Sequence, residues 1–348
     1  MSDISWHRYP LITHSALAKK WLQIQSNLGL ASNTVEAYGR ALEDFYSFCR
    51  QIAIEPKLAK REHIAAYIRD LMTRPQSRSS RAGILDSSSG LSNATIQQRL
   101  TAVRLFYDFL MEEGLREQNP VGRGRYTPGK GFGGQRGHGL VPRLQKMPWI
   151  PNDAEWKRIL EASRTESLRN RLMLALSYDA ALRREELCNL QTGDIDPSNR
   201  LLHLRAENTK SRQGRVVPYS VLTDNLYRAY LEHRRNLSRS RGPLFLSESR
   251  RNFGQPISIW TWSKVIRGIS TRSELDQFST HTPRHLCLTD LARANWDIHE
   301  IATFAGHRSI QTTLLYIHLS GRELALKLEQ GMAAIHSWRI KQLSEVLL

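Results

Sequence analysis

Residues 279–320, STHTPRHLCLTDLARANWDIHEIATFAGHRSIQTTLLYIHLS, hold the densest set of groups able to do chemistry. His281 and Arg284 lie three apart at the start of a helical pattern and so share a face. His307 follows a glycine, and Tyr316 comes nine residues later, so a short helix from Ser309 would carry the phenol back toward the imidazole. Two upstream segments add what phosphoryl transfer needs, Arg183 in DAALRREELCNL and Lys210 in ENTKSRQGRVVP. A guanidinium forks onto two phosphate oxygens and stays charged at any working pH. Arg183 and Arg284 therefore suit the non-bridging oxygens and the extra charge of a pentacovalent transition state. The ammonium of Lys210 is a compact donor that, with its pKa lowered among other cations, suits protonation of a departing oxygen. Tyrosine, with a pKa near ~10, is a poor nucleophile at neutral pH, so two arginines and an imidazole are expected to favour its phenolate. Each piece alone is weak. With 12 histidines in the chain, a His-x-x-Arg match arises by chance, and a lone tyrosine is more often a half-buried core residue.

The rest of the chain must position these groups and tolerate their partner. Its 50 Lys and Arg against 33 Asp and Glu leave a net charge of +17, which favours a polyanion and makes nucleic acid the first partner to consider. No apolar run is long enough for a spanning helix and neither end carries a basic amphipathic segment, so no membrane partner is expected. The start, MSDISWHRYPLITH, has no secretory signal pattern, and a reducing cytoplasm is the expected compartment. Cys49, Cys188 and Cys287 are far apart and without CxxC spacing, which indicates core residues rather than a disulfide framework or zinc site. There is no GxxxxGK[ST] loop, and no cofactor or metal is expected.

A length of 348 residues suits two domains. Residues 13–118 read as a helical bundle. Its first apolar stripe includes Leu17, Trp21, Leu22 and Leu28. In the second helix Asn33 is positioned to cap with Glu36, with Val35, Tyr38, Leu42, Phe45 and Cys49 on one face. A third helix covers 62–72. The fourth turns Ile96, Leu100, Val103, Tyr107 and Leu110 inward and leaves Arg99 and Arg104 outward for solvent or DNA. Residues 73–92 between these two read as a surface loop. Residues 119–150 read as a linker, because 122–139 hold eight of the 21 glycines and no acid occurs from 119 to 151. Its cations, among them Arg123, Arg125 and Lys130, are placed to track phosphates while the two domains close around a duplex. Residues 151–348 read as a larger, mainly helical domain. Runs at 201–205 and 214–218 interrupt it as a β-hairpin, with Lys210 near the tip and Arg212 and Arg215 as further DNA contacts.

Taken together, the segments resemble the tyrosine recombinase, or phage integrase, family. ALRREEL is similar to that family's Gly-Leu-Arg-x-x-Glu-Leu box, which implies Arg183 as the first catalytic arginine and Glu186 as its structural neighbour. Lys210 stands five residues before Arg215 in RVVP, where the family's hairpin lysine is found. HTPRH resembles the His-x-x-Arg-His box, implying His281 for proton transfer, Arg284 as the second arginine and His285 as a packing or hydrogen-bonding partner. FAGHRSIQTTLLYIH resembles the box in which His307 would contact the phosphate and Tyr316 would be the nucleophile. SNTVEAYGRALEDF looks like part of the family's core-binding domain. Departures are few: Pro283 replaces an apolar residue, Ala305 a leucine, and Asn295 takes a turn position where glycine is frequent and asparagine can also adopt left-handed angles.

The resemblance implies a mainly α protein. A helical, SAM-like core-binding domain would precede a larger, mostly helical catalytic domain with a small antiparallel sheet. It implies strand exchange on double-stranded DNA through a 3′-phosphotyrosine and a free 5′-hydroxyl, with four protomers assembled on DNA. The C-terminal helix would dock either on a neighbour or on its own domain, and the segment before Ser15 is expected to be too short for a further DNA-binding domain. Three rivals remain open at this point. A metal-dependent transposase or nuclease would draw on Glu185, Glu186, Asp194 and Asp196. A type IB topoisomerase shares the same chemistry, and a non-enzymatic DNA-binding regulator needs only a basic helical chain.

Overall fold

The computed structural model describes residues 4–74, 90–122, 140–141, 147–209, 213–314, 316 and 321–344. Lys210, Arg212, Arg123, Arg125 and Lys130 lie outside the described residues, as do most of the expected 73–92 loop and of the linker. The chain forms two compact units, Met1–Lys146 and Met147–Leu348, each with its own hydrophobic core.

The first unit is helical: α1 (Pro10–His14), α2 (Ala16–Asn27), α3 (Ser32–Gln51), α4 (Arg61–Thr73) and α5 (Asn93–Glu112). Its core includes the expected inward positions of α3 and α5 together with Trp21, Leu22, Tyr67 and Phe106. Edge-on aromatic pairs run through it, Phe45 with Tyr67 and Trp21 with Phe106. The core starts earlier than residue 13, since Ile4, Tyr9 and Ile12 are buried in it. Glu43 on α3 explains why: its carboxylate accepts from the backbone N–H groups of Leu11 and Ile12, both at 2.9 Å, satisfying the open start of α1. Tyr9 lies so close over Gly39 that a Cβ there would sit 2.8 Å from the ring, which accounts for a glycine in mid-helix.

Three details differ from the sequence reading. The N-cap of α3 is Ala31, with no side-chain cap, so Asn33 sits inside the first turn. Leu28 is 70% exposed at the end of α2 rather than in the stripe. Arg99 does not face outward freely: it pairs with Asp44 at 2.5 Å, a carboxylate that also receives the Tyr67 hydroxyl at 2.7 Å and an arginine, Arg74. Arg104 is half-buried.

The second unit contains α6 (Asp153–Ser163), α7 (Leu168–Asp179) and α8 (Arg184–Cys188). The strands β1 (Ile195–Asp196), β2 (Leu201–Leu204) and β3 (Arg215–Pro218) follow. After them come α9 (Val221–Leu237), α10 (Ile259–Ser273), α11 (Thr282–Arg293), α12 (Ile298–Ala305), α13 (Ile310–Leu314) and α14 (Gly321–Ser344). The sheet is antiparallel in the order β1-β2-β3, with Leu202 opposite Val217 and Leu204 opposite Arg215. The hairpin was legible in the sequence, whereas two-residue β1 was too short to read. Mainly helical units with one small antiparallel sheet match the expected fold class. All three cysteines are buried, and no described helix is long and apolar enough to cross a membrane.

Candidate active site

The site forms where α8, α11 and the end of α12 meet. Arg183 precedes α8 and Arg284 lies in the first turn of α11. His307 follows Gly306, whose φ of 63° makes it the left-handed C-cap of α12. The turn that presents Arg183 is itself strained. Ala181 has φ of 46°, at the place where the resembled box carries glycine, and its carbonyl accepts from Nη1 of Arg284. Asn295, expected to tolerate a left-handed turn, does so at φ of 61°.

Arg284 is buried, 3% exposed, and held on several sides. Besides Ala181, its Nη2 donates to the Ala305 carbonyl at 2.7 Å and to Nε2 of His307 at 2.9 Å. Because an arginine only donates, Nε2 of His307 must accept, so its proton sits on Nδ1, which donates to the buried Thr313 hydroxyl at 2.9 Å. Desolvation and then the charges of Arg284, Arg183 and Arg215 push His307 down from the usual 6.5 to about 3, so the ring is neutral at physiological pH. Arg284 itself falls to about 10, first through burial and then through Arg183.

Arg183 donates through Nη1 to Glu186 at 2.7 Å and through Nη2 to the Gly306 carbonyl at 2.9 Å. Glu186, 1% exposed, also accepts two bonds from Arg215, at 3.1 and 2.9 Å. Burial would raise its pKa, but the Arg215 bonds and charge, with help from Arg183, bring it down to about 2. Arg215 was expected to contact DNA. Its side chain is instead 7% exposed, and its Nε donates to the Phe304 carbonyl at 2.9 Å.

Tyr316 packs among these groups. Its ring stacks on His307 with centroids 5.7 Å apart and planes 11° apart, and its hydroxyl lies 3.0 Å from Nδ1 of His285. His285 thus does more than pack. Desolvation, His281 and Arg284 lower it to about 4, leaving a neutral partner for the phenol. The expected activation of the phenol needs correcting in this arrangement. Tyr316 is 7% exposed, and burial raises its pKa despite the opposing charges of Arg284 and Arg183. His281, at the start of α11, is exposed. Its pKa is lowered by desolvation and by Arg184, Arg284 and Arg183, against the pull of Glu185.

The structure thus brings together Arg183, Arg284, His307 and Tyr316, with His281 at the rim. Sequence reasoning missed Arg215 as part of this cluster and underrated His285. The four acids that a two-metal mechanism would use are occupied: Glu185 by Arg184, Glu186 by two arginines, Asp194 by Arg205 and the Gln191 N–H, and Asp196 by the turn at 198–199. Among the described residues no group of three or more potential metal ligands occurs.

The sequence model of the phage integrase family matches residues 152–323. Transposase A from transposon Tn554 of Staphylococcus aureus is 26% identical over 323 residues, covering 88% of this chain and 88% of the relative. Tyrosine recombinase XerD of Caulobacter vibrioides is 29% identical over 316 residues, covering 85% and 88%. Two solved structures share the fold. XerH site-specific recombinase bound to palindromic difH substrate in a post-cleavage complex matches with a TM-score of 0.63 and 17% identity, over 91% of this chain and 83% of that one. The Tn1549 transposon integrase in complex with circular intermediate DNA matches with a TM-score of 0.64 and 14% identity, over 90% and 99%.

Proposed function

Since this chain belongs to the phage integrase, or tyrosine recombinase, family, we propose that it is a site-specific DNA recombinase acting through a 3′-phosphotyrosine on Tyr316. The observation that carries this reading is the convergence of Tyr316, His307, Arg284 and Arg183 within one hydrogen-bonded cluster. In the proposed reaction the Tyr316 oxygen attacks the scissile phosphorus and the 5′ oxygen leaves. Arg183 and Arg284 stabilise the added charge, His307 contacts a non-bridging oxygen, His281 moves a proton, and Lys210 protonates the leaving oxygen. The phosphodiester energy is kept in the protein link, and the 5′-hydroxyl of a partner strand attacks it in turn. Bound phosphate would compete for Nη2 of Arg284; with the imidazole proton then on Nε2 and the Thr313 hydroxyl donating to Nδ1, His307 can donate to the non-bridging oxygen.

Double-stranded DNA is the proposed partner, consistent with the net charge of +17 and with the DNA in the XerH and Tn1549 integrase complexes. Assembly as a tetramer on DNA is part of the same proposal. It draws on Leu328, Ile335 and Trp338 of α14, whose side chains recur on one helix face and are 56%, 44% and 64% exposed. A nicked suicide duplex tests the reaction: strand cleavage in excess EDTA should leave the protein on the 3′ side of the break. A covalent link to the 5′ side, or cleavage that stops with EDTA, would overturn it.

A further inference from the structure

Arg215 was expected on the DNA and is found inside the protein, so its charge serves some other purpose. Like Arg183 and Arg284 it touches both halves of the reacting cluster, but it does so from the sheet. On one side two of its nitrogens bond Glu186, the carboxylate that receives Arg183. On the other, Nε bonds the Phe304 carbonyl in the last turn of α12, two residues before the glycine from which His307 hangs. Its guanidinium lies close enough to that glycine that a Cβ on Gly306 would sit 2.8 Å from Nη1 and 3.1 Å from Cζ. The same Gly306 offers its carbonyl to Nη2 of Arg183 at 2.9 Å. Arg183, Glu186, Arg215 and the Phe304–Gly306 backbone therefore form a closed ring of hydrogen bonds. β3 supplies one member, the start of α8 two, and the end of α12 the rest.

We propose that Arg215 is a positioning residue for strand cleavage, setting Arg183 through Glu186 and His307 through the end of α12. The inference rests on the recombinase reading above. Its chemistry follows from the geometry of the two cations. Glu186 already takes the Arg183 backbone N–H on Oε2 at 3.0 Å and Arg183 Nη1 on Oε1, but both bonds come from the residue it has to orient and tie it to nothing beyond the start of α8. Bidentate pairing with a second guanidinium, carried by β3 and bonded to the end of α12, anchors that carboxylate to the rest of the site and so sets the direction in which Arg183 points. Lysine, with its three donors on one nitrogen, lacks the fork that meets the Glu186 oxygens through Nη1 and Nη2 and Phe304 through Nε. The positive charge also works at a distance: with Arg284 and Arg183, it helps keep His307 neutral. Misplacing a reacting group by about an ångström costs on the order of a hundredfold in rate, even when the altered residue never touches the substrate.

Arg215→Lys and Arg215→Met would be compared with the parent full-length protein on a nicked suicide duplex. Single-turnover cleavage, DNA affinity and thermal unfolding would each be measured. The expected result for Arg215→Lys is cleavage slower by about a hundredfold, with affinity for the same duplex within about twofold of the parent. The pH–rate profile, read from pH 3 to 8, should shift its acid limb upward in Arg215→Met, because loss of the charge lets His307, held at about 3 in the parent, protonate more readily. If Arg215→Met does not fold, the lysine variant decides alone. Cleavage by a folded Arg215→Lys within twofold of the parent overturns the inference. A fall in cleavage matched by an equal fall in affinity does so too, since that is how a DNA contact behaves. Failure of the parent itself to form any covalent adduct would instead overturn the recombinase reading, so the two failures are distinguishable.

Discussion

Two arginine clusters, one from each unit, use the guanidinium in opposite ways. In the first, Arg8 and Arg40 share Glu36 at 3.4 and 3.2 Å with side chains 37–57% exposed, so solvent screens most of their attraction. In the second, Arg183, Arg215 and Arg284 are largely withdrawn from water and spend their donors on Glu186, on backbone carbonyls and on His307. An exposed pair adjusts to whatever approaches it. A buried arginine with every direction fixed is prepared for one geometry, which is what stabilising a transition state requires. The price is a site whose parts fail together.

That contrast is easiest to break in the second unit. Arg284→Met should slow cleavage by about a thousandfold, the scale for losing a preorganised donor to developing charge, in single-turnover assays on a suicide duplex. Residual activity within tenfold would mean that the guanidinium only supports packing. Glu186→Gln should destabilise the protein by about 3 kcal/mol in urea unfolding, because it leaves two buried guanidinium groups without their carboxylate.

Acid should separate the units as well. The folded state holds His307 near 3 and His285 near 4, against 6.5 for an ordinary histidine. Below about pH 6.5 the unfolded chain therefore binds protons that the folded site refuses. Stability is full above that pH and falls as pH drops toward 3, and Glu186, held at about 2 against 4.5, extends the loss downward. Urea unfolding across pH 4 to 7 should show this slope, and His285→Gln should flatten part of it. The smallest effect belongs to the first unit: Glu36→Gln should change stability by less than about 1 kcal/mol. A larger loss there would erase the distinction drawn between exposed and buried pairs.

Much of the site could be read from spacing. Arg183, Arg284, His307 and Tyr316 sit in short segments whose order and intervals carry the family's pattern, and α11 starts at Thr282, where the His281–Arg284 spacing placed a helix. What escaped were consequences of contacts between distant residues. Nothing near Arg215 in the sequence signals that it will meet Phe304, 89 residues away, and a basic residue beside a hairpin tip reads naturally as a phosphate contact. The pairing of His285 with Tyr316 spans 31 residues and depends on how α11 faces the end of α13. The phenol's raised pKa was misjudged because counting positive neighbours leaves out burial, and here burial outweighs them. Ala31 in place of Asn33 as the cap of α3 is a shift of two residues, a scale on which cap signals compete.

The central claim is that Tyr316 is the nucleophile. Parent protein and Tyr316→Phe would be incubated with the same nicked suicide duplex and resolved under denaturing conditions. The account predicts a covalent protein–DNA adduct for the parent and none for the variant, with duplex binding retained by both. An adduct formed by Tyr316→Phe would contradict it.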